Sequence, residues 1–311
     1  MITFSSLTKK FEGVTAVDNL SFEVKDGEMF GLLGPNGAGK TTTLLILVSA
    51  VLPTSGTVFV NGFDVVKMPN QVRREVGISF QEPVLDPRLT VKENLEFHAD
   101  ACGIQKDECR DRIREVLECL NMWEDRNKKA GKLSGGMKRK TEDAKLFIQR
   151  PRVAVFDEPT AFLDVSSRHE VWRLMKSMQE NATTIILATN MMDEADKLSE
   201  RIGIISKGRL IVLGSPDEMK NSIPKGQIMD LKVNGEVEVV AEILREFPEI
   251  QTIQIIKDAN TARLYMNEIE TVLPRIMSVL FKKNVNINSV DFKKPSLEDV
   301  FLHYTGQVLG K

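Results

Sequence analysis

The chain has 311 residues, of which 42% are hydrophobic, and a formal net charge of −2. That length accommodates two domains with separate cores, and the near-neutral charge offers no global attraction for nucleic acid or acidic lipid. Its longest apolar stretch, Leu44 to Leu52, is far short of the ~20 residues of a membrane span, so any work at a membrane is expected to go through a partner.

The opening Met1-Ile2-Thr3-Phe4-Ser5 leads into a strand and does not look like a secretory leader. Met29 to Leu33 reads as a buried strand, and Thr41 to Val51 as a helix. Between them stands Gly34-Pro35-Asn36-Gly37-Ala38-Gly39-Lys40-Thr41, with Thr42 following. A strand, a glycine-rich turn and a helix form the context in which this pattern cradles phosphate. The glycines present backbone N–H groups where a Cβ would obstruct. The helix start adds unpaired N–H groups and the positive end of its dipole. Lys40 can reach the β- and γ-phosphates of a nucleoside triphosphate, and the Thr41 hydroxyl can ligate Mg²⁺.

Thr57 to Val65 carries an Asn61-Gly62 hairpin signal of the type I′ kind. Val76 to Phe80 reads as a strand leading to Gln81. Pro83, Pro87 and the helix start Thr90-Val91-Lys92-Glu93 follow, and Asp107 to Leu120 has helical apolar spacing at Ile113, Val116, Leu117 and Leu120. Cys102, Cys109 and Cys119 have no metal-binding spacing and are expected as reduced thiols. Leu133-Ser134-Gly135-Gly136-Met137 opens another helix, so Ser134, Gly135 and Gly136 make a second anion-binding terminus. One nucleotide has no use for two cradles on one subunit, whereas two subunits arranged head to tail do.

Arg152 to Glu158 is a hydrophobic strand ending in two acids. After a phosphate loop, Asp157 suits the Mg²⁺ shell and Glu158 suits a general base for the attacking water. Thr184 to Thr189 is a further strand, followed by Asn190.

With these motifs in this order, the chain resembles the nucleotide-binding subunit of ATP-binding-cassette (ABC) transporters over its first 220 residues or so. The resemblance implies a P-loop α/β core with an antiparallel β-subdomain and a helical subdomain at about 83–150. It implies that Gln81 contacts Mg²⁺ or the attacking water and relays motion to a membrane partner. Ala161-Phe162-Leu163-Asp164 takes the place of the loop that crosses the dimer interface. Phe11 stands where the family stacks an aromatic on adenine; ordinary core packing is the alternative. The catalytic candidates are thus Glu158, Gln81 and Asn190, and the metal candidates Thr41, Gln81 and Asp157, with ATP and Mg²⁺ as ligands.

The sequence departs from the family at Asn190, where the resemblance leads one to expect a switch histidine. Asparagine can donate one hydrogen bond to phosphate but cannot take a charge. It is equally a good N-cap for the following helix. The run Met137-Lys138-Arg139-Lys140 is also unusually basic, with Arg126, Lys128, Lys129 and Lys132 just before it, either attracting the partner's triphosphate or RNA, or forming a solvated charged loop.

From about Gly226 the order is strand, helix, strand, strand, helix, strand, a ferredoxin-like α+β pattern. Its tail, Pro295 to Gly306, resembles the end of daunorubicin-resistance-type (ABC-2) exporter ATPases, where such an extension pairs or tunes the subunits. Two domains are expected, 1–224 and 225–311. Trp123 and Trp172 are expected to fill interdomain gaps, and His98, His169 and His303 lie isolated from any ligand partner. The expected protein is an ATPase subunit of an exporter, on the cytoplasmic face of the cell membrane, with an integral membrane permease and a second ATPase subunit as partners. The alternatives are a hydrolysis-impaired regulatory partner, or a soluble ABC ATPase acting on ribosomes or nucleic acid; the mildly acidic balance and the single phosphate loop weigh against the last.

Overall fold

The computed structural model describes residues 1–222, 226–267, 269–293 and 295–305. Met1–Pro216 form one compact unit, and a second begins at Asp217.

In chain order the first unit contains β1 (Ile2–Phe11), β2 (Val14–Val24), β3 (Met29–Leu33), α1 (Lys40–Leu47), β4 (Ser55–Val60), β5 (Phe63–Asp64), α2 (Pro69–Glu75), β6 (Val76–Ser79), α3 (Val91–Ala101) and α4 (Lys106–Cys119). It continues with α5 (Gly135–Gln149), β7 (Val153–Asp157), α6 (Val165–Glu180), β8 (Thr184–Thr189), α7 (Met192–Leu198), β9 (Arg201–Ser206) and β10 (Arg209–Gly214).

The strands β3, β7 and β8 are buried along their whole length, as the interior of a parallel sheet with both faces covered requires. They lie in a six-stranded sheet of order β10-β9-β3-β8-β7-β6, parallel except for β10. Alternation along each strand divides its side chains between two cores. Met29, Phe156 and Leu187 face the core shared with α3, α4, α5 and α6. Phe30, Val155 and Ile186 face the core shared with α1 and the antiparallel sheet β2-β1-β4-β5. A stack of Phe4, Phe22 and Phe30, with ring centroids 4.3 and 5.0 Å apart, joins the two sheets.

The expected Asn61-Gly62 turn connects β4 to β5, both residues having positive φ. A capping box between Thr90 and Glu93 starts α3, which satisfies two otherwise unpaired backbone donors. α1 stops at Leu47, short of the expected Val51, because Ser49 turns left-handed at φ 58°. Trp172 fills no interdomain gap: it is buried within the first unit, where its indole donates to Glu194 at 2.9 Å.

The second unit contains α8 (Pro216–Ser222), β11 (Gly226–Asn234), α9 (Val237–Leu244), β12 (Ile250–Ile256), β13 (Thr261–Asn267), α10 (Ile269–Lys282), β14 (Asn286–Lys293) and α11 (Leu297–Thr305). β11 to β14 form one antiparallel sheet of order β12-β13-β11-β14. With α9 and α10 this is the expected ferredoxin-like arrangement, with a core around Leu231, Leu264, Ile276 and Leu280. Asp299 at the start of α11 accepts from Tyr265 Oη at 2.7 Å and from Ser296 N at 2.8 Å. Burial and that carboxylate push the Tyr265 phenol well above its usual range. Gly306, the end of the expected tail motif, and the expected boundary at 224–225 lie outside the described residues.

Candidate nucleotide site

Gly34 leaves the end of β3 and donates from its N–H to Thr189 O on β8 at 3.3 Å. A side chain at Gly34 would place its Cβ 2.4 Å from Ile205 O. Gly39 has φ 104°, and a Cβ there would come within 2.3 Å of Ala16 O. The loop therefore closes against the backbone of two neighbouring strands, and its path depends on glycine at both positions. Lys40, the first residue of α1, is buried; its Nζ donates to Gly34 O at 2.7 Å and Pro35 O at 3.1 Å and lies 3.6 Å from Glu158 Oε1. Burial lowers the Lys40 pKa, with Glu158 and Asp157 opposing the shift.

The register of the parallel sheet sets the acids beside this loop. Thr41 Oγ1 donates to Asp157 Oδ2 at 2.7 Å. Burial raises the Asp157 pKa, and its Oδ1 has no hydrogen-bond partner among the described residues. A hydroxyl and a carboxylate oxygen side by side, with a further buried oxygen unsatisfied, match the hard oxygen donors that Mg²⁺ takes. Glu158 sits in left-handed backbone at φ 50°, with its N–H held by Ala188 O at 2.8 Å. A glutamate there costs about 1–3 kcal/mol, and the turn directs its carboxylate to Gln81, whose Nε2 donates to Oε2 at 3.1 Å. Asn190 does not cap α7; that cap is Met191, and Asn190 Nδ2 donates instead to Asn36 Oδ1 at 3.2 Å.

A cavity of about 630 Å³ brings together Phe11, Asn36, Gly37, Gly39, Lys40, Thr41, Thr42, Gln81 and Glu158, with Val14, Thr15, Ala16 and Lys207 as further walls. Phe11 is half exposed on its rim, which excludes core packing for this ring, and Lys9 Nζ lies 4.8 Å from the ring centre. Lys207 was not legible as a wall, because it comes from the distant β9–β10 turn.

Ser134, Gly135 and Gly136 do not line this cavity. Ser134 and Gly135 are exposed at the start of α5, where Ser134 caps the helix by accepting from Met137 N at 3.3 Å. Of the basic run behind them, Arg139 and Lys140 do not form a solvated face, whereas Lys128, Lys129 and Lys132 ahead of it are exposed. Arg139 and Lys140 are both buried, Lys140 pairing with Glu170 Oε2 at 2.7 Å. Intramolecular acids, absent from the run itself, account for the difference.

The fold and site define a nucleotide-binding cassette. A family model described as ABC transporter matches residues 17–161, and one described as the C-terminal domain of DrrA1-3-like ATP-binding proteins matches 214–305. The chain is 31% identical over 309 residues to the linearmycin resistance ATP-binding protein LnrL of Bacillus subtilis, spanning 99% of each. It is 34% identical over 308 residues to the daunorubicin resistance ATP-binding protein DrrA2 of Streptomyces coeruleorubidus, spanning 97% of this chain and 94% of that one. Among solved structures it is similar to an ATP-binding subunit of an ABC transporter, at a TM-score of 0.67 and 26% identity, over 71% of this chain and 92% of the other. It is also similar to the dimeric, post-hydrolysis ATP-binding cassette MJ0796 bound to ADP and Pi, at a TM-score of 0.65 and 27% identity, over 69% of this chain and 98% of that one. The chain belongs to the ATP-binding subunits of ABC transporters, within the daunorubicin-resistance-type exporter group. It is an ATPase of that class, serving an exporter-type transporter.

Gly39→Ala is expected to abolish ATP binding, because the added Cβ meets Ala16 O and the backbone favours glycine. Titration with a fluorescent ATP analogue checks this; affinity within about threefold of wild type would show that the loop can take another path.

Proposed function

We propose that this chain hydrolyses Mg²⁺-bound ATP between two cassettes facing head to tail, and so drives an export permease in the membrane. The observation that carries this reading is the convergence of Lys40, Thr41, Gln81 and Glu158 on one cavity, with Asp157 hydrogen-bonded to Thr41 and the second cradle at Ser134 outside it. A cradle that does not face its own cavity suits the nucleotide of another subunit, here Ser134, Gly135 and Gly136 of the partner subunit.

In this reading, the backbone N–H groups of Gly37 and of Gly39 to Thr42 and the Lys40 ammonium hold the triphosphate, and Phe11 stacks on the adenine. Thr41, Asp157 and Gln81 would hold Mg²⁺, whose charge would offset that developing on the phosphate oxygens. Glu158 accepts a proton from the attacking water, which Gln81 orients. Asn190 donates toward the γ-phosphate; its present contact with Asn36 shows that the side chain faces the loop. Compared with a histidine it is short and uncharged, and a weakened donor to transition-state charge lowers turnover by up to ~10²–10³-fold. ATP closes the pair of subunits because it touches both cradles only in the closed state, a difference in affinity between states being what shifts such an equilibrium.

Among the described residues no helix is long and apolar enough to cross a membrane. In this reading a separate integral membrane permease carries the cargo, with this chain bound to its cytoplasmic side. Residues 1–224 act as the ATPase domain, with the helical subdomain at about 83–150, and 225–311 act as the accessory domain.

Glu158→Gln is expected to retain ATP affinity and lose hydrolysis by at least about 10²-fold in a phosphate-release assay. Retained hydrolysis would remove Glu158 from the role of base. Asn190→His is expected to raise kcat by about tenfold or more. An unchanged kcat would show that this side chain does not reach the phosphate.

A further inference from the structure

Arg139 lies in the second turn of α5 and is only 2% exposed. Its Nε donates to Pro159 O at 3.0 Å and to Asp143 Oδ2 at 3.3 Å. Nη1 donates to the carbonyl oxygens of Phe80 and, at 3.1 Å, of Gln81. Nη2 donates to Ser79 Oγ and Asp143 Oδ1, each at 2.6 Å. The Ser79 hydroxyl in turn donates to Asp143 Oδ1 at 2.6 Å. Asp143 is fully buried; burial pushes its pKa up, with Arg139 opposing the rise.

These acceptors come from three segments separate in sequence. Phe80 and Gln81 leave the end of β6, and Gln81 reaches Glu158 with its side chain. Pro159 directly follows Glu158. Asp143 belongs to α5, the helix that begins beside Ser134. The planar guanidinium, with its donors in a fixed fork, can satisfy all three at once; an ammonium cannot. None of its partners belongs to the loop from Gly34 to Thr42.

We propose that the buried Arg139–Asp143 pair is a positioning element for hydrolysis, holding Gln81 and Glu158 in register with the helix that carries Ser134. It rests on the reading of Gln81 and Glu158 given above. Arg139 grips the carbonyl of Gln81 and that of Pro159, the residue after Glu158, so its loss displaces both side chains, and a shift of about 1 Å in a reacting group can lower a rate by ~10²-fold. The ATP cradle keeps its own contacts, so affinity for nucleotide is retained. Because α5 also carries the second cradle, movement of that helix changes the spacing of Gln81 and Glu158. Arg139 thereby links the helical subdomain to the hydrolytic groups without touching ATP.

The test compares the full chain with Asp143→Asn, Arg139→Lys and the double variant Arg139→Met/Asp143→Leu. Hydrolysis, affinity for a fluorescent ATP analogue and thermal unfolding are measured for each. Asp143→Asn, which keeps the shape of the side chain, and Arg139→Lys are expected to lower kcat by at least about tenfold, with KM and affinity within about twofold. The double variant replaces the buried ion pair by apolar groups of similar volume and is expected to recover wild-type unfolding temperature but not kcat. Wild-type kcat in the double variant or in Asp143→Asn would overturn the proposal, reducing the pair to a stability role. Parallel loss of affinity and kcat would overturn it too. Glu158→Gln run alongside separates the two readings, since full hydrolysis there removes the assignment of the base whatever the Arg139 variants do.

Discussion

The parallel register of β3, β7 and β8 is the constraint on which the rest of the first unit depends. Leu33 pairs with Thr189, and Asp157 with Ala188, so three strands end at one level. Each then releases its loop into the same space, and backbone hydrogen bonds fasten the loops before any side chain acts. Gly34 N–H is held by Thr189 O, and Glu158 N–H by Ala188 O. A shift of one residue would move Phe30 and Leu32 out of one core and Met29 out of the other, so burial on both faces fixes the register. The 2.7 Å contact between Thr41 and Asp157 follows from it.

On this frame two buried cations have different tasks. Lys40 sits on a flexible stem among carbonyl oxygens and 3.6 Å from Glu158, with a pKa that burial lowers. Arg139 is a planar, permanently charged group that takes up fixed acceptors on three segments. The first is suited to exchanging partners when an anion arrives. The second is suited to keeping distances constant. The same helix, α5, is also tied by Lys140 to Glu170 on α6, so Arg139 and Lys140 both serve internal geometry.

Much of this was legible in the sequence where local chemistry decides the outcome. The strand, glycine turn and helix around Gly34 to Thr41 appear as expected, because left-handed backbone and close approach leave no choice but glycine at position 39. The order of elements in the second unit was equally plain, since strand and helix differ in the period of their apolar residues. The sheet order β12-β13-β11-β14 was not, because strand partners distant in the chain leave no local mark. Arg139 was misread for a related reason. A run of three basic residues looks solvated until Asp143, one turn on, and the carbonyls of Phe80, Gln81 and Pro159 are brought to it by the fold. Trp172 likewise found its partner, Glu194, only in the folded chain.

The central claim is that one ATP is held by two subunits, with Lys40 of one and Ser134 of the other on opposite sides of it. Hydrolysis by Ser134→Arg, measured together with ATP affinity, tests it most directly, because Ser134 is exposed and does not line the cavity of its own chain. The account predicts unchanged affinity for the first-bound nucleotide and loss of at least about 10²-fold in kcat. Wild-type kcat in Ser134→Arg would contradict it.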